Sequence, residues 1–305
     1  DLTGANLTSA DLTGATLTNV VISATTILTS AKLISANLSS TNLNSADLTS
    51  IEMAKADLTG ANLTGTTLIS ANLAGAKLGG ANLTSANLTG GAKLSKADLT
   101  GANLTSADLN GADLTGAKLN NATLTGLDIT GANLTAADLT GATGLTGTTG
   151  IIITATTNLT SAKLVGADLT GDILTGVQMA KADLTGATLT NATLTTAATN
   201  LAGANLTNAI MGGADLTGAT LTGAKLGGAT LTNSAKLDNA LLSKADLTGA
   251  DLSSATLTGA TLTSAKLNTA TLTGTDLTGA DLTSADLTGA TLNLVVISAT
   301  TILTS

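Results

Sequence analysis

Leucine recurs at every fifth position along most of the chain. It stands at Leu2, Leu7, Leu12 and Leu17, then from Leu33 to Leu88 with Met53 as a substitute, and from Leu94 to Leu139 with Ile129. Further runs cover Leu159 to Leu194 with Met179, Leu201 to Leu231 with Met211, and Leu237 to Leu292. Alanine usually lies two residues before each leucine, with Asp, Asn, Thr or Lys between them; Thr and then Gly or Ser follow. A period of five fits neither a 3.6-residue helix nor a flat alternating strand. It requires a chain that turns a corner in every pentad. Within an extended pentad, Ala and Leu point to one side and the residue between them to the other. Ala and Leu therefore line an interior, and Asp, Asn, Thr and Lys face water. The Gly/Ser position is the expected corner, since Gly tolerates the backbone angles of a tight turn. At Asp172-Ile173-Leu174 the spacing holds, but Asp stands where Ala is expected.

Tandem pentads such as Ala61-Asn62-Leu63 and Ala102-Asn103-Leu104 cover nearly the whole chain. The sequence resembles the pentapeptide-repeat family, whose motif is A(D/N)LXX. That resemblance implies an all-β fold: a right-handed quadrilateral parallel β-helix, a solenoid of about 20 residues per coil. The inward pair would be Ala61 with Leu63, or Ala102 with Leu104. The family often uses Phe at the central position, and this chain has none.

The lysines give an independent check on coil length. Eight of them precede a central leucine: Lys32, Lys77, Lys93, Lys118, Lys163, Lys225, Lys236 and Lys266. A coil of about twenty residues, stacked ~4.8 Å from the next, sets each beside an acid. Lys32 meets Glu52, Lys77 meets Asp57, Lys93 meets Asp113 and Lys163 meets Asp183. Lys118 lies between Asp98 and Asp138, and Lys266 between Asp246 and Asp286. Lys225 and Lys236 reach Asp246 and Asp215 across a one-residue slip. Each exposed pair is worth only ~0–1 kcal/mol and serves register more than stability. Asp108 stacks against Asp128, so charge alternation is not universal.

The chain is expected to form a single domain over 1–305, with corner bulges where the period slips: near Ile27-Leu28, at Gly90-Gly91, at Thr196–Asn200 and at Asn233-Ser234. The segment from about 141 to 158 is the least regular and the expected loop. A longer repeat overlies the pentads. Val20–Ser30 recurs unchanged as Val295–Ser305, with a looser copy at Ile151–Ser161, so modules begin near 20, 151 and 295. Extended backwards, 11–30 matches 286–305 at eighteen of twenty positions. The chain opens at Asp1 without an initiator Met, as expected of a processed chain or a portion of a longer array.

Composition narrows the function. The 305 residues include no Cys, His, Pro, Phe, Tyr or Trp, and all twelve basic residues are Lys. Thiol and imidazole chemistry is thereby excluded, along with the usual zinc, haem and iron–sulfur ligands. Aromatic stacking on bases and arginine forks onto phosphate are excluded too. A net charge of −8 disfavours nucleic acid and anionic membranes, and no apolar run approaches the ~18 residues of a spanning helix. The Gly pairs lack phosphate-loop spacing, and the carboxylates lie on a regular outward lattice. No catalytic, cofactor-binding or metal-ligating residue is expected, and no small-molecule substrate.

The sequence therefore points to a non-enzymatic structural protein: a stiff rod that stacks head to tail into an extracellular or cell-surface fibre. Two alternatives use the same lattice. Thr-rich faces could bind an ordered surface such as ice. The acidic rod could mimic DNA and occupy a topoisomerase, an activity of the pentapeptide-repeat family that the interspersed lysines dilute.

Overall fold

The structure, a computed structural model, describes residues 1–144 and 153–304. The chain divides into two compact units, Asp1–Ile153 and Thr154–Ser305. Residues 145–152 of the expected irregular segment at 141–158, and with them the start of the module near 151, lie outside the described residues.

Each unit is a β-helix solenoid built from parallel pairings, one per pentad. In the N-terminal unit Glu52 pairs with Asn72, Asp57 with Lys77, Asn62 with Asn82 and Thr67 with Asn87, each twenty residues on. In the C-terminal unit Thr256 pairs with Asp276, Thr261 with Asp281 and Lys266 with Asp286 at the same interval. In these coils the outer residue of each pentad thus stands beside the outer residue of the next coil.

The pentad sequence explains the path. In Ala56-Asp57-Leu58-Thr59-Gly60, Ala56 and Leu58 are fully buried, and Asp57 lies on the outside. The Ala61 N–H closes a tight turn onto the Leu58 carbonyl at 2.9 Å. Gly60, third in that turn, has φ +64°, as a type II turn demands. Ser, Asn and Lys take the same conformation elsewhere, with φ of 55° at Ser40, 57° at Asn121 and 61° at Lys55. The corner is therefore imposed by the coil and is not reserved for glycine.

Backbone groups are satisfied mainly between coils. The Asp57 N–H donates to Ala36 O in the coil before (2.8 Å), and the Leu58 and Gly60 N–H groups donate to Lys77 O and Gly79 O in the coil after (2.7 and 2.9 Å). With the turn bond from the alanine, four of the five amides in the pentad are paired by backbone. Burying them unpaired would cost about 1–3 kcal/mol each.

The period slips are accommodated without breaking the ladder. Asn72 pairs with Lys93 at twenty-one residues, and the added residue sits at Gly90-Gly91, both with positive φ. A bulge lies between Val21 and Ile27, and Asn233-Ser234 forms another, both residues again with positive φ. Two residues are added between Thr193 and Asn200, so Gln178 pairs with Asn200. The copy of the first bulge repeats it between Val296 and Ile302, where Asp281 pairs with Ile302.

Some pentads carry Thr in place of the inner Ala. Thr26, Thr41 and Thr275 are buried, and their hydroxyls donate to the carbonyls of Leu2, Leu17 and Leu252 at 2.8, 3.1 and 2.8 Å. At 172–174 the polarity is inverted. Asp172 holds the inner position with its Oδ2 enclosed, and Ile173 is 72% exposed. Nothing in the structure explains that exchange.

Candidate functional site

The outward lattice is made of two side chains per pentad. In the Asp57 pentad, Oδ1 of Asp57 accepts the Thr59 N–H at 3.1 Å and the Thr59 hydroxyl at 2.7 Å. Asn62 accepts the same two donors from Thr64 at 3.1 and 2.7 Å, and the arrangement recurs at Asp11, Asp98, Asn103 and Asp168. This is the Asx turn, in which a short polar side chain captures the amide two residues on. It supplies the one amide of the pentad that the ladder leaves over. The motif thus has a physical reason: Asp or Asn before the leucine holds the corner that follows it.

The Asx bond was missed at the sequence level, although a signal was present. Thr stands two residues after fifteen of the seventeen Asp residues at the outer position, and after none of the eight lysines there. Lys cannot accept a hydrogen bond, so a Thr at that place would find no acceptor in it.

Several of the aspartates, Asp11, Asp57, Asp98 and Asp286 among them, are held low by these contacts. At Asp57 and Asp98 the threonine hydroxyl is the first cause. The amide adds to it, partial burial opposes it, and the neighbouring lysine contributes less. Asp286 is held lowest, at about 2, chiefly by the Thr288 hydroxyl and then by Asn268. At Asp215 burial is the largest influence and acts upward, but Thr217 and Lys236 together outweigh it. Carboxylates this firmly ionised are poor general acids.

All eight expected lysine–acid neighbours are paired across coils, including Lys32 with Glu52, Lys93 with Asp113, Lys163 with Asp183 and Lys225 with Asp246. Lys118 pairs with both Asp98 and Asp138, and Lys266 with both Asp246 and Asp286. The ammonium groups of Lys77, Lys118 and Lys236 reach Asp57, Asp98 and Asp215 at 3.4, 3.6 and 3.6 Å. Asp108 stands beside Asp128, the like-charge neighbour that the twenty-residue interval requires. Amide ladders add to the lattice, Asn62 Nδ2 donating to Asn42 Oδ1 at 3.1 Å and Asn72 Nδ2 to Glu52 Oε2 at 2.6 Å.

One concave apolar feature stands out. The last coil of the C-terminal unit opens a cavity of about 290 Å³ lined by Leu282, Leu287, Leu292, Ile297 and Leu303, among others. Among the described residues no cluster of acids could hold a metal ion, and no helix is long and apolar enough to cross a membrane. The lattice can offer regular hydrogen bonds and weak charge contacts.

Comparison with known proteins gives a consistent assignment. The family model for pentapeptide repeats (8 copies) matches 1–23, 26–65, 51–90, 91–121, 107–143, 157–191, 199–234, 235–274 and 257–293. None of the curated proteins matches the chain. Similar solved structures include HetL, a pentapeptide repeat protein involved in heterocyst differentiation regulation from the cyanobacterium Nostoc sp. strain PCC 7120. It is 28% identical, with 88% of this chain and 86% of HetL covered and a TM-score of 0.25. Another is the pentapeptide repeat protein Rfr23 from the cyanobacterium Cyanothece 51142, at 25% identity over 48% of this chain and 90% of that one, TM-score 0.25. A third comes from the thylakoid lumen of Arabidopsis thaliana, at 33% identity over 37% and 68%, TM-score 0.21. With its motif matched along most of its length, the chain belongs to the pentapeptide-repeat family.

Proposed function

We propose that this chain is a non-enzymatic structural element: a right-handed, four-sided β-helix of about twenty residues per coil that joins end to end into an extracellular or cell-surface fibre. The observation that carries the reading is the regularity of the sides. The sides are a repeating lattice of Asx–Thr hydrogen bonds and Lys–Asp neighbours, with the polar side chains already engaged with one another.

The Thr-rich alternative is weakened by the same lattice. The hydroxyls of Thr59, Thr64, Thr84 and Thr105 already donate to Asp or Asn within their own pentads, which leaves fewer donors for an ice lattice. The DNA-mimic alternative is weakened by the lysines standing beside acids in every run described above. Electron microscopy of the purified full chain tests the fibre reading. Filaments of one width, lengthening with concentration, are expected; short particles of a single size under all conditions would contradict it.

A further inference from the structure

We propose that two copies of this chain pair side to side and antiparallel, through the side of the β-helix on which aspartate and lysine alternate coil by coil. The pairing concerns the sides alone and does not depend on the end-to-end reading above. On one side of the N-terminal unit the outer residues of successive coils are Asp57, Lys77, Asp98 and Lys118, each paired with the next. The Lys77 ammonium lies 3.4 Å from Asp57 and that of Lys118 lies 3.6 Å from Asp98, yet the two lysine side chains remain 67% and 62% exposed. An ammonium carries three donors, so a contact with one carboxylate leaves it able to take a second from outside the chain.

The alternation selects one partner and one orientation. Two copies set parallel would bring Lys77 against Lys77 and Asp98 against Asp98. Turned antiparallel about a twofold axis that runs along the strands, between the coils of Lys77 and Asp98, they bring Lys77 against Asp98 of the second copy and Asp57 against its Lys118. The symmetry repeats both contacts, and the same surface serves both copies, as an isologous contact requires. Glycines give a second, independent observation. Among the described residues, the glycines without a positive φ are Gly79, Gly212 and Gly227, each in the place after the inner Leu or Met where Thr is usual. Gly212 is confined from within, since an added Cβ would lie 3.1 Å from Asn233 Nδ2. At Gly79 and Gly227 a Cβ would come no nearer than 3.8 and 3.7 Å, to Thr100 O and Thr248 O. Neither backbone angle nor a neighbour in the chain asks for glycine at these two places, which leaves close approach from outside as its use. Both stand two residues after a lysine that pairs with aspartate, Lys77 with Asp98 and Lys225 with Asp246. In the antiparallel arrangement the bare spot at Gly79 faces Thr100 of the second copy. In the C-terminal unit Gly227 and Thr248 stand in the same relation. Charge and shape agree on the occupant: another copy of this chain.

Charge exchange tests the pairing. Full chain carrying Lys77→Asp with Lys225→Asp, and full chain carrying Asp98→Lys with Asp246→Lys, are sedimented singly and as an equal mixture, beside the unsubstituted chain. The fold already tolerates like neighbours across coils, as at Asp108 and Asp128. Neither variant should pair with itself, because each sets like charges against one another across the twofold. The mixture restores opposite charges and should associate at least about tenfold more tightly than either variant alone. Bulk charge would favour self-association of the second variant, since its net charge moves from −8 toward zero; the pairing forbids it. For the unsubstituted chain, raising salt from about 0.1 to 1 M, which shortens the screening length from about 10 to 3 Å, should weaken association. Gly79→Gln with Gly227→Gln, which fills the bare spots, should weaken it with melting temperature unchanged. End-to-end growth does not depend on these charges and would appear alike in every sample. If association is the same in all samples, or the mixture gains nothing over the single variants, the lateral pairing is overturned and the fibre reading is untouched. If the unsubstituted chain stays a monomer at every concentration, both fall.

Discussion

Removing one threonine hydroxyl should cost this protein more than removing the lysine beside the same carboxylate. The test pair is Thr59→Val and Lys77→Met, both acting on Asp57. The Thr59 hydroxyl donates to Asp57 Oδ1 at 2.7 Å, whereas the Lys77 ammonium lies 3.4 Å from Oδ2 with its side chain 67% exposed. A hydrogen bond to a charged group contributes about 1.5–3 kcal/mol; at this partly open site the lower end applies, so Thr59→Val should cost about 1.5 kcal/mol. An exposed ion pair is worth ~0–1 kcal/mol and is screened by salt, so Lys77→Met should cost less than about 1 kcal/mol. Urea unfolding of the full chain at neutral pH, in low and high salt, measures both. The same contacts set the acid limit. Asp11, Asp57, Asp98, Asp215, Asp246, Asp281 and Asp286 are all held below the ordinary value of 3.8 in the folded chain. The stability they provide is complete above that value and is lost as pH falls through the folded values, which reach about 2 at Asp286. Melting temperature should therefore hold down to the ordinary carboxylate range and fall below it, with little dependence on salt. A larger loss for Lys77→Met than for Thr59→Val, or a melting temperature that collapses in high salt at neutral pH, would refute the priority given to the Asx–Thr bond.

Other consequences follow from burial and backbone angle. Leu104 is fully buried, so Leu104→Ala should cost about 2–5 kcal/mol in urea unfolding and loosen amide exchange in the adjoining coils. Leu294 holds φ +56° at 83% exposure, where its counterpart in the other copy is Asn19; Leu294→Asn should raise stability by about 1 kcal/mol, since Asn tolerates the left-handed region. Gly90 and Gly101 share φ near +68°, but an added Cβ would lie 2.8 Å from Ser70 Oγ at Gly90 and would meet nothing within 4 Å at Gly101. In thermal melts Gly90→Ala should therefore cost more than Gly101→Ala, by about 1–3 kcal/mol of overpacking.

The inward pairs, the corners and the inter-coil neighbours were legible in the sequence because each depends on a five-residue period that sequence displays directly. Lys236 beside Asp215, across the slip at Asn233-Ser234, is the sharpest instance. The Asx bonds were less visible, since they link positions that both read simply as outward polar residues. The corner at Lys55 or Ala136 was hidden for another reason: the backbone angle is dictated by the stacked coils, and local preference is overridden. The bulge between Val296 and Ile302 was legible too, since Val295–Ser305 repeats Val20–Ser30, where the slip near Ile27-Leu28 is already visible.

The stacking of coils is tested most directly by distances between paired labels. With no native cysteine to interfere, nitroxides can be placed on cysteines substituted at Asn62 with Asn82, at Asn82 with Asn103, and at Asn62 with Asn72. The first two pairs are adjacent across coils, at intervals of twenty and twenty-one residues, and should show strong dipolar broadening at the ~5 Å backbone spacing of neighbouring strands. The third pair lies within a single coil and should show none. Broadening at Asn62 with Asn72, or its absence at either of the other pairs, would contradict the coiled path on which every conclusion here depends.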